Sequence, residues 1–174
     1  MRRLSLVVLM VFALGMTASA QTKISGKAHC PKGDMNSADV GDKPGHMLIL
    51  QKITCTYTTP LEIAGGKNKD ALEVFTTEMS GGAGRDNGYE TATLDSGDKY
   101  VVHFLGTSKM NKDNSGTNEG KWTFVSGTGK LKGIKGGGTY KGTQAADGTS
   151  EFEVEGDYTI AAPAPKPAKT PTKK

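Results

Sequence analysis

The clearest pattern in the chain is a strict alternation of apolar and polar residues at positions 121–125, followed by a run of glycines. Trp122 and Phe124 fall on one face of an extended segment and their three neighbours on the other, which is the period typical of a half-buried strand. The six glycines at positions 127–138 exclude a helix and favour a sharp turn. The pattern predicts a strand, a tight turn and a second strand beginning near Thr139.

Eight segments show strand-like patterning, and no segment after position 20 carries the apolar stripe of a substantial helix. Every aromatic residue after position 20 falls within one of them. Short strands separated by turn residues are typical of an all-β barrel or sandwich. The predicted strands lie near residues 22–29, 46–57, 71–79, 88–94, 99–107, 120–126, 138–144 and 150–160.

The stretch from Glu119 to Tyr140 resembles a motif of the allene oxide cyclase and dirigent superfamily of β-barrels, especially its secreted bacterial members. The motif reads G-x-W-x-F-x-(G/S)-G-T-G-x-(F/L)-x-G-(I/A)-x-G-x-G-x-Y. The resemblance favours an eight-stranded antiparallel barrel over a sandwich. It also implies a lumen that binds an apolar small molecule, since allene oxide cyclases isomerise a fatty-acid epoxide and dirigent proteins steer coupling of phenoxy radicals. The residues carrying those reactions lie outside the motif, so no catalytic role is transferred.

The two ends of the chain differ from its centre. Residues 1–20 have the basic start, apolar middle and Ala18-Ser19-Ala20 ending of a signal peptide. Cleavage between Ala20 and Gln21 would leave a periplasmic or secreted protein, and the apolar run is too short for a membrane span. Residues 161–174 are rich in proline and lysine and predict an extended tail, leaving a barrel domain at 21–160.

The net charge of +4 comes from these ends. Residues 21–160 contain 16 basic against 18 acidic residues, a net charge of −2. Arg85 is the only arginine among them, although proteins that bind phosphate backbones favour clustered arginines. The sequence therefore argues against nucleic acid as a partner, and it leaves the oligomeric state open.

Cys30 and Cys55 are the only two cysteines. Export would place them where disulfides persist, so a bond between them is expected, with two buried thiols as the alternative. The bond would join a predicted surface loop at 30–45 to the second strand.

No cofactor or metal is expected. The three histidines lack the spacing of a zinc motif, the loop carboxylates lack the order of a calcium loop, and the glycine-rich motif does not fit a phosphate-binding loop. The histidines are His29, His46 and His103.

Two functions fit this sequence. In the first, the lumen binds a small apolar or aromatic ligand through Tyr100, Trp122 and Tyr140, with an isomerase or cyclase activity as an extension. In the second, the barrel is filled by its own side chains and acts as a structural or surface-associated module. An open lumen would favour the first function.

The length of the loop at Ser96-Gly97 determines whether the one candidate pair for proton transfer can form. A two-residue loop, which suits a type I′ turn, would place Glu90 opposite His103 and Tyr89 opposite Phe104. A three-residue loop would separate Glu90 from His103. We expect the two-residue loop, and we favour a surface ion pair over proton transfer as the meaning of that contact.

The turn near Gly148 predicts a different geometry. On the last strand Phe152, Val154 and Tyr158 alternate with acidic residues, so the apolar set faces inward. Only a three-residue loop at 146–148, with Gly148 at positive φ, keeps that polarity on the neighbouring strand. This register places Tyr140 opposite Val154, Lys141 opposite Glu153 and Thr143 opposite Glu151.

Overall fold

The computed structural model describes residues 21–161, which form ten β-strands and one short 3-10 turn at Gly129–Leu131. Among these residues no helix is long and apolar enough to cross a membrane. The predicted signal peptide and nearly all of the predicted tail lie outside the described residues. The strands are β1 (Thr22–Cys30), β2 (Asp34–Asp39), β3 (Met47–Thr59), β4 (Glu62–Ile63), β5 (Gly66–Ser80), β6 (Ala83–Leu94), β7 (Lys99–Met110), β8 (Gly116–Gly127), β9 (Ile134–Gln144) and β10 (Ser150–Ile160).

Eight of these strands close into an antiparallel barrel. From β5 to β10 each strand pairs with the next one in the chain, β10 pairs with β1, and β3 pairs with both β1 and β5. Side chains therefore alternate between the lumen and the outer surface along each strand. The predicted all-β, eight-stranded antiparallel barrel is confirmed.

The segment at 30–45, predicted to be a loop, contains β2. This strand pairs with the first half of β3, from Asp34 opposite Lys52 to Asp39 opposite Met47. Its side chains are all exposed, so no apolar face marks it in the sequence. Since β1 pairs with the second half of the same edge of β3, the β2–β3 hairpin extends the wall beyond the end of β1.

A disulfide joins Cys30 at the end of β1 to Cys55 in β3, as predicted. The two Cα atoms are 4.2 Å apart, slightly closer than the expected range of about 4.4 to 6.8 Å. Both residues are buried. The bond fixes β1 against β3 beside the start of the β2–β3 hairpin.

The predicted register between β6 and β7 is wrong by one residue. The loop has three residues, 95–97, and the last of them, a glycine, has a φ of 85°. Tyr89 is therefore opposite His103, and Glu90 is opposite Val102. Because a shift of one residue exchanges the two faces of a strand, Glu90 faces the lumen and His103 faces outward.

The predicted register between β9 and β10 is confirmed. The structure pairs Tyr140 with Val154, Lys141 with Glu153 and Thr143 with Glu151. The loop has the three predicted residues, and Gly148 has a φ of 91°. Tyr140 accordingly faces the lumen and Lys141 is exposed, although the carboxylate of Glu153 forms its ion pair with Lys27 at 2.6 Å.

Glycines on the inner face of the barrel lie against aromatic rings of neighbouring strands. A Cβ atom at Gly106 or Gly120 would collide with the ring of Tyr140, and one at Gly156 would collide with Trp122. The absence of a side chain at these positions lets large rings lie across the wall. Tyr140 and Trp122 of the glycine-rich motif thus pack against Gly106 and Gly156 on the flanking strands β7 and β10, and Tyr140 also packs against Gly120 within the motif.

One end of the barrel is closed by apolar side chains from the connections between strands. Ile63 and Leu131 are fully buried there, and Leu61 is 3% exposed. They belong to one hydrophobic core with Leu94 and Ile134. The described chain also begins and finishes at this end, because β1 starts opposite the last residues of β10.

Candidate functional site

The opposite end of the barrel opens into an internal cavity of about 720 Å³. Its rim is formed by the connections at 31–33, 81–82, 111–115 and 145–149, which are polar or glycine-rich. The volume lies in the range of about 300 to 1,000 Å³ that is typical of small-molecule sites. The lumen is therefore open at one end only.

Aromatic rings form much of the cavity wall. Tyr100, Trp122 and Tyr140, the predicted ligand-binding residues, all line it. Phe104 connects two further rings by edge-on contacts, with centroids 5.7 Å from Phe75 and 6.0 Å from Tyr140. Such contacts hold the rings in fixed orientations, so the wall is preformed.

Two carboxyl groups face each other deep in this cavity. Glu73 of β5 and Glu90 of β6 are directly opposite in the sheet and both line the cavity. The hydroxyl of Tyr100 donates a hydrogen bond to Glu90 Oε1 at 3.1 Å, and that of Tyr57 donates to Oε2 at 3.2 Å. Asn68 Nδ2 donates in turn to the Tyr100 hydroxyl at 2.9 Å.

Burial changes the ionisation of this carboxyl pair. Burial, together with the smaller effect of the charge on Glu90, raises the pKa of Glu73 to about 8. Burial also raises the pKa of Glu90, to about 7, while the hydrogen bonds from Tyr100 and Tyr57 oppose the increase by stabilising the carboxylate. Near neutral pH the pair is therefore only partly ionised, and the two tyrosine hydrogen bonds favour placing the negative charge on Glu90.

A third carboxyl group lies nearer the mouth. Asp86 is 8% exposed and accepts a hydrogen bond from Thr77 Oγ1 at 2.6 Å. Burial raises its pKa, and the hydroxyls of Thr77 and Ser108 oppose the increase. The buried Ser108 hydroxyl approaches Asp86 without making a hydrogen bond of normal geometry. Four residues along β6 separate Asp86 from Glu90, which corresponds to about 13 Å.

The predicted proton-transfer pair of Glu90 and His103 does not form. His103 Nε2 bonds to Asn87 Oδ1 at 2.8 Å on the outer surface, and its ring packs against Tyr89 with centroids 4.8 Å apart. Glu90 stays in the candidate site with two tyrosine hydroxyls as its partners.

The sequence analysis missed Glu73, Tyr57 and Asp86. The alternation of faces along β5 could have identified Glu73, because it lies two residues before Phe75 and therefore on the same face of the strand. Tyr57 likewise lies two residues after Cys55 and on the same face of β3. Charged residues of a strand usually lie on the exposed face, so polarity alone does not connect Glu73 and Asp86 with the lumen.

A metal ion has no evident ligand set in the described part of the chain. The one group of three potential ligand atoms found among residues 21–161 comprises Cys30, Cys55 and Glu73. Both cysteine sulfurs are bonded to each other in the disulfide, so neither is a free thiolate ligand. Glu73 Oε1 lies 3.6 Å from the Cys55 sulfur. The histidines are dispersed over the outer surface, where His29 bonds to Glu151 and His46 bonds to Asp42 and Glu78.

The chain matches no protein-family model and no curated protein. Solved structures do match it. The pterocarpan synthase dirigent protein PsPTS1 is 16% identical, with a TM-score of 0.51 over 83% of this chain and 97% of that protein. The pterocarpan synthase dirigent protein GePTS1 is 15% identical, with a TM-score of 0.50 over 90% of this chain and 98% of that protein. These similarities show a dirigent-like barrel fold.

Proposed function

We propose that this protein is an exported barrel that binds a small apolar or aromatic ligand in its lumen. The observation that carries the proposal is the cavity of about 720 Å³, open at one end and walled by preformed aromatic rings. A barrel acting only as a structural module needs no such space, because eight-stranded barrels can be filled by their own side chains. The disulfide supports export, since such bonds persist in oxidising compartments.

The three predicted residues serve two roles in this proposal. Trp122 and Tyr140 provide flat apolar surfaces, and the hydroxyl of Tyr100 belongs to the polar group at the floor of the cavity. A ligand would enter between the rim connections and place its apolar body against the rings. Its deepest part would reach Glu90.

Trp122 makes this proposal directly testable, because it is the only tryptophan in the chain and it lines the cavity. We expect phenylbutanol, a neutral aromatic ligand, to change the tryptophan fluorescence saturably. Filling the lumen by Val154→Phe should weaken this binding at least tenfold. The matched variant Val125→Phe adds the same ring at a position that is 55% exposed and should bind like the wild type.

Two results would contradict lumen binding. One is an absence of saturable change with phenylbutanol and its amine and carboxylate analogues. The other is an equal effect of the two phenylalanine variants. Native mass spectrometry of the purified protein provides an independent measurement, since a ligand retained from expression would appear as a fixed added mass.

A second candidate function is an isomerase or cyclase activity on the bound ligand. It is favoured by the pKa values of about 7 and about 8 at Glu90 and Glu73, because a group that transfers protons efficiently has a pKa near the working pH. In heavy water, such an activity should introduce deuterium into a bound substrate. Glu90→Gln should abolish the incorporation without abolishing ligand binding.

A further inference from the structure

The lumen contains acidic groups without matching basic ones. Glu73, Glu90 and Asp86 line it, while Lys32 and Lys112 are the basic residues among those lining the cavity and both belong to its rim. The described chain therefore places three carboxyl groups inside an apolar barrel with no cation at their depth. A buried carboxylate is normally paired, because removing a charge from water is costly.

Glu90 is the carboxylate for which a missing counter-charge matters most. Its two oxygens accept hydrogen bonds from Tyr57 and Tyr100, which stabilise the anion without neutralising it. The directly opposite Glu73 cannot supply a positive charge. The site is thus arranged to hold a negative charge at the bottom of a cavity.

The walls around this charge also suit a cation. Trp122, Tyr140, Phe104 and Phe75 line the same cavity. The faces of aromatic rings attract cations, most strongly when the site excludes water. An apolar ligand with one positive charge would therefore be favoured by the wall and by the floor together.

We propose that the lumen selects an apolar or aromatic amine, whose basic nitrogen reaches the Glu73–Glu90 pair while its apolar body lies against the rings toward the mouth. This inference rests on the proposed function and specifies its ligand class. A bound metal ion fits the floor less well, because hard cations take six or more oxygen ligands and the pair brings together only two carboxyl groups.

The ionisation of the neighbouring groups supports this assignment. The other titratable groups that line the cavity below its rim are Tyr57 on β3, Tyr100 on β7, Asp86 on β6 and Tyr140 on β9. A phenol or a carboxyl group cannot become a cation, and burial raises the pKa of each of these groups, so the tyrosines stay neutral around neutral pH. The pair gains negative charge as the pH rises from 6 to 8, while an alkylamine with a pKa of about 10 remains protonated.

The test compares three ligands that share one aromatic body: phenylbutylamine, phenylbutanol and phenylbutyrate. Binding to the full-length wild-type protein is followed by the fluorescence of Trp122 at pH 8. We expect the amine to bind at least tenfold more tightly than the alcohol and the carboxylate to bind most weakly. The advantage of the amine over the alcohol should decrease when the pH is lowered to 6.

Two matched variants locate the selectivity. Glu90→Gln removes the buried charge and should bring the amine and the alcohol to similar affinities. Glu119→Gln removes an exposed charge on the outer face of β8 and should keep the tenfold preference. Circular dichroism verifies that both variants are folded.

A measurement on the wild type alone provides a second readout. Calorimetry at pH 6.5 in two buffers of different ionisation enthalpy should show that the amine releases protons from the carboxyl pair and that the alcohol does not. If the alcohol binds as tightly as the amine at pH 8, or the amine releases no protons, the amine assignment is overturned while lumen binding stands. If none of the three ligands binds, both proposals fail.

Discussion

The two ends of the barrel are built from the same eight strands and differ in the segments that connect them. At the closed end the connections insert Leu61, Ile63 and Leu131 into the core. At the open end the connections are short and polar, and they leave the cavity accessible. The strands thus form the wall of the barrel, and the connections determine which end of the lumen is accessible to a ligand.

This difference also separates stability from function within one domain. The closed end holds much of the fully buried apolar surface, whereas the ionisable groups with raised pKa values line the cavity above it. Substitutions at the closed end should therefore act mainly on the free energy of unfolding. Substitutions in the lumen should act mainly on binding and on pH dependence.

The largest effect is expected from shortening the side chains that close the barrel. Ile63→Ala or Leu131→Ala removes a fully buried side chain and should lower the free energy of unfolding by about 2 to 5 kcal/mol. Met35→Ala at the open end, where the side chain is 56% exposed, should change it by less than about 0.5 kcal/mol. Urea unfolding measures all three, and equal losses would show that the two ends contribute alike.

Removal of the disulfide should have a somewhat smaller effect. The double variant Cys30→Ser and Cys55→Ser opens a loop with a sequence separation of 25 and should lower the free energy of unfolding by roughly 3 kcal/mol. Hydrogen exchange should increase more in the β2–β3 hairpin than at the closed end. Uniform loss of protection would show that the bond does not act locally. Reduction of the wild-type bond is the matched control.

The carboxyl pair in the lumen should make stability depend on pH. Because the folded-state pKa of Glu90 is about 7, above the ordinary value of 4.5, the unfolded chain ionises more readily, and stability should fall as the pH rises from about 4.5 to 8. Glu90→Gln should recover about 1 to 3 kcal/mol at pH 8 relative to pH 5. Glu119→Gln serves as the exposed control, and parallel pH profiles for all three proteins would refute the assignment.

The smallest effect is expected at the β2–β3 hairpin. His46 Nδ1 bonds to Asp42 Oδ1 at 2.6 Å and Nε2 bonds to Glu78 Oε1 at 3.1 Å, and these bonds raise the pKa of His46 above 6.5. Their contribution should be complete below pH 6.5 and should be lost as the pH rises through the folded-state pKa.

Hydrogen exchange of the Val40 amide, which donates to the His46 carbonyl at 2.9 Å, reports this contact. After correction for intrinsic rates, protection should be greater at pH 6 than at pH 8. The Gly148 amide in the β9–β10 turn is the reference and should not change in this way. The same pH dependence at both amides would exclude a specific role for His46.

The success of the sequence analysis differed between two hairpins for one physical reason. On β10, every inward residue used for the register is apolar or aromatic, so only one register satisfied the polarity pattern, and that register is confirmed. On β6, the register was predicted from the turn type alone and is wrong by one residue. The polarity pattern could not correct it, because Glu90 faces the lumen while Tyr89 is 51% exposed. The polarity pattern does not identify the inner face of a strand where a candidate site places a charged residue in the lumen.

Other parts of the candidate site were accessible only through the three-dimensional arrangement. The residues Tyr57, Glu73, Glu90 and Tyr100 come from four different strands, and no local spacing connects them. The disulfide was predictable because the chain has two cysteines and no competing partner for either. The β2 strand was not, because it has no buried face.

The position of the two ends of the described chain has a consequence for display and engineering. Thr22 and Tyr158 are opposite each other on adjacent strands at the closed end, so the polypeptide enters and leaves the barrel on the side away from the mouth. A protein tethered to a support through either end would present its mouth to the medium. A circular permutant that joins residues 161 and 21 by a short linker and opens at the 111–115 turn should keep the same cavity.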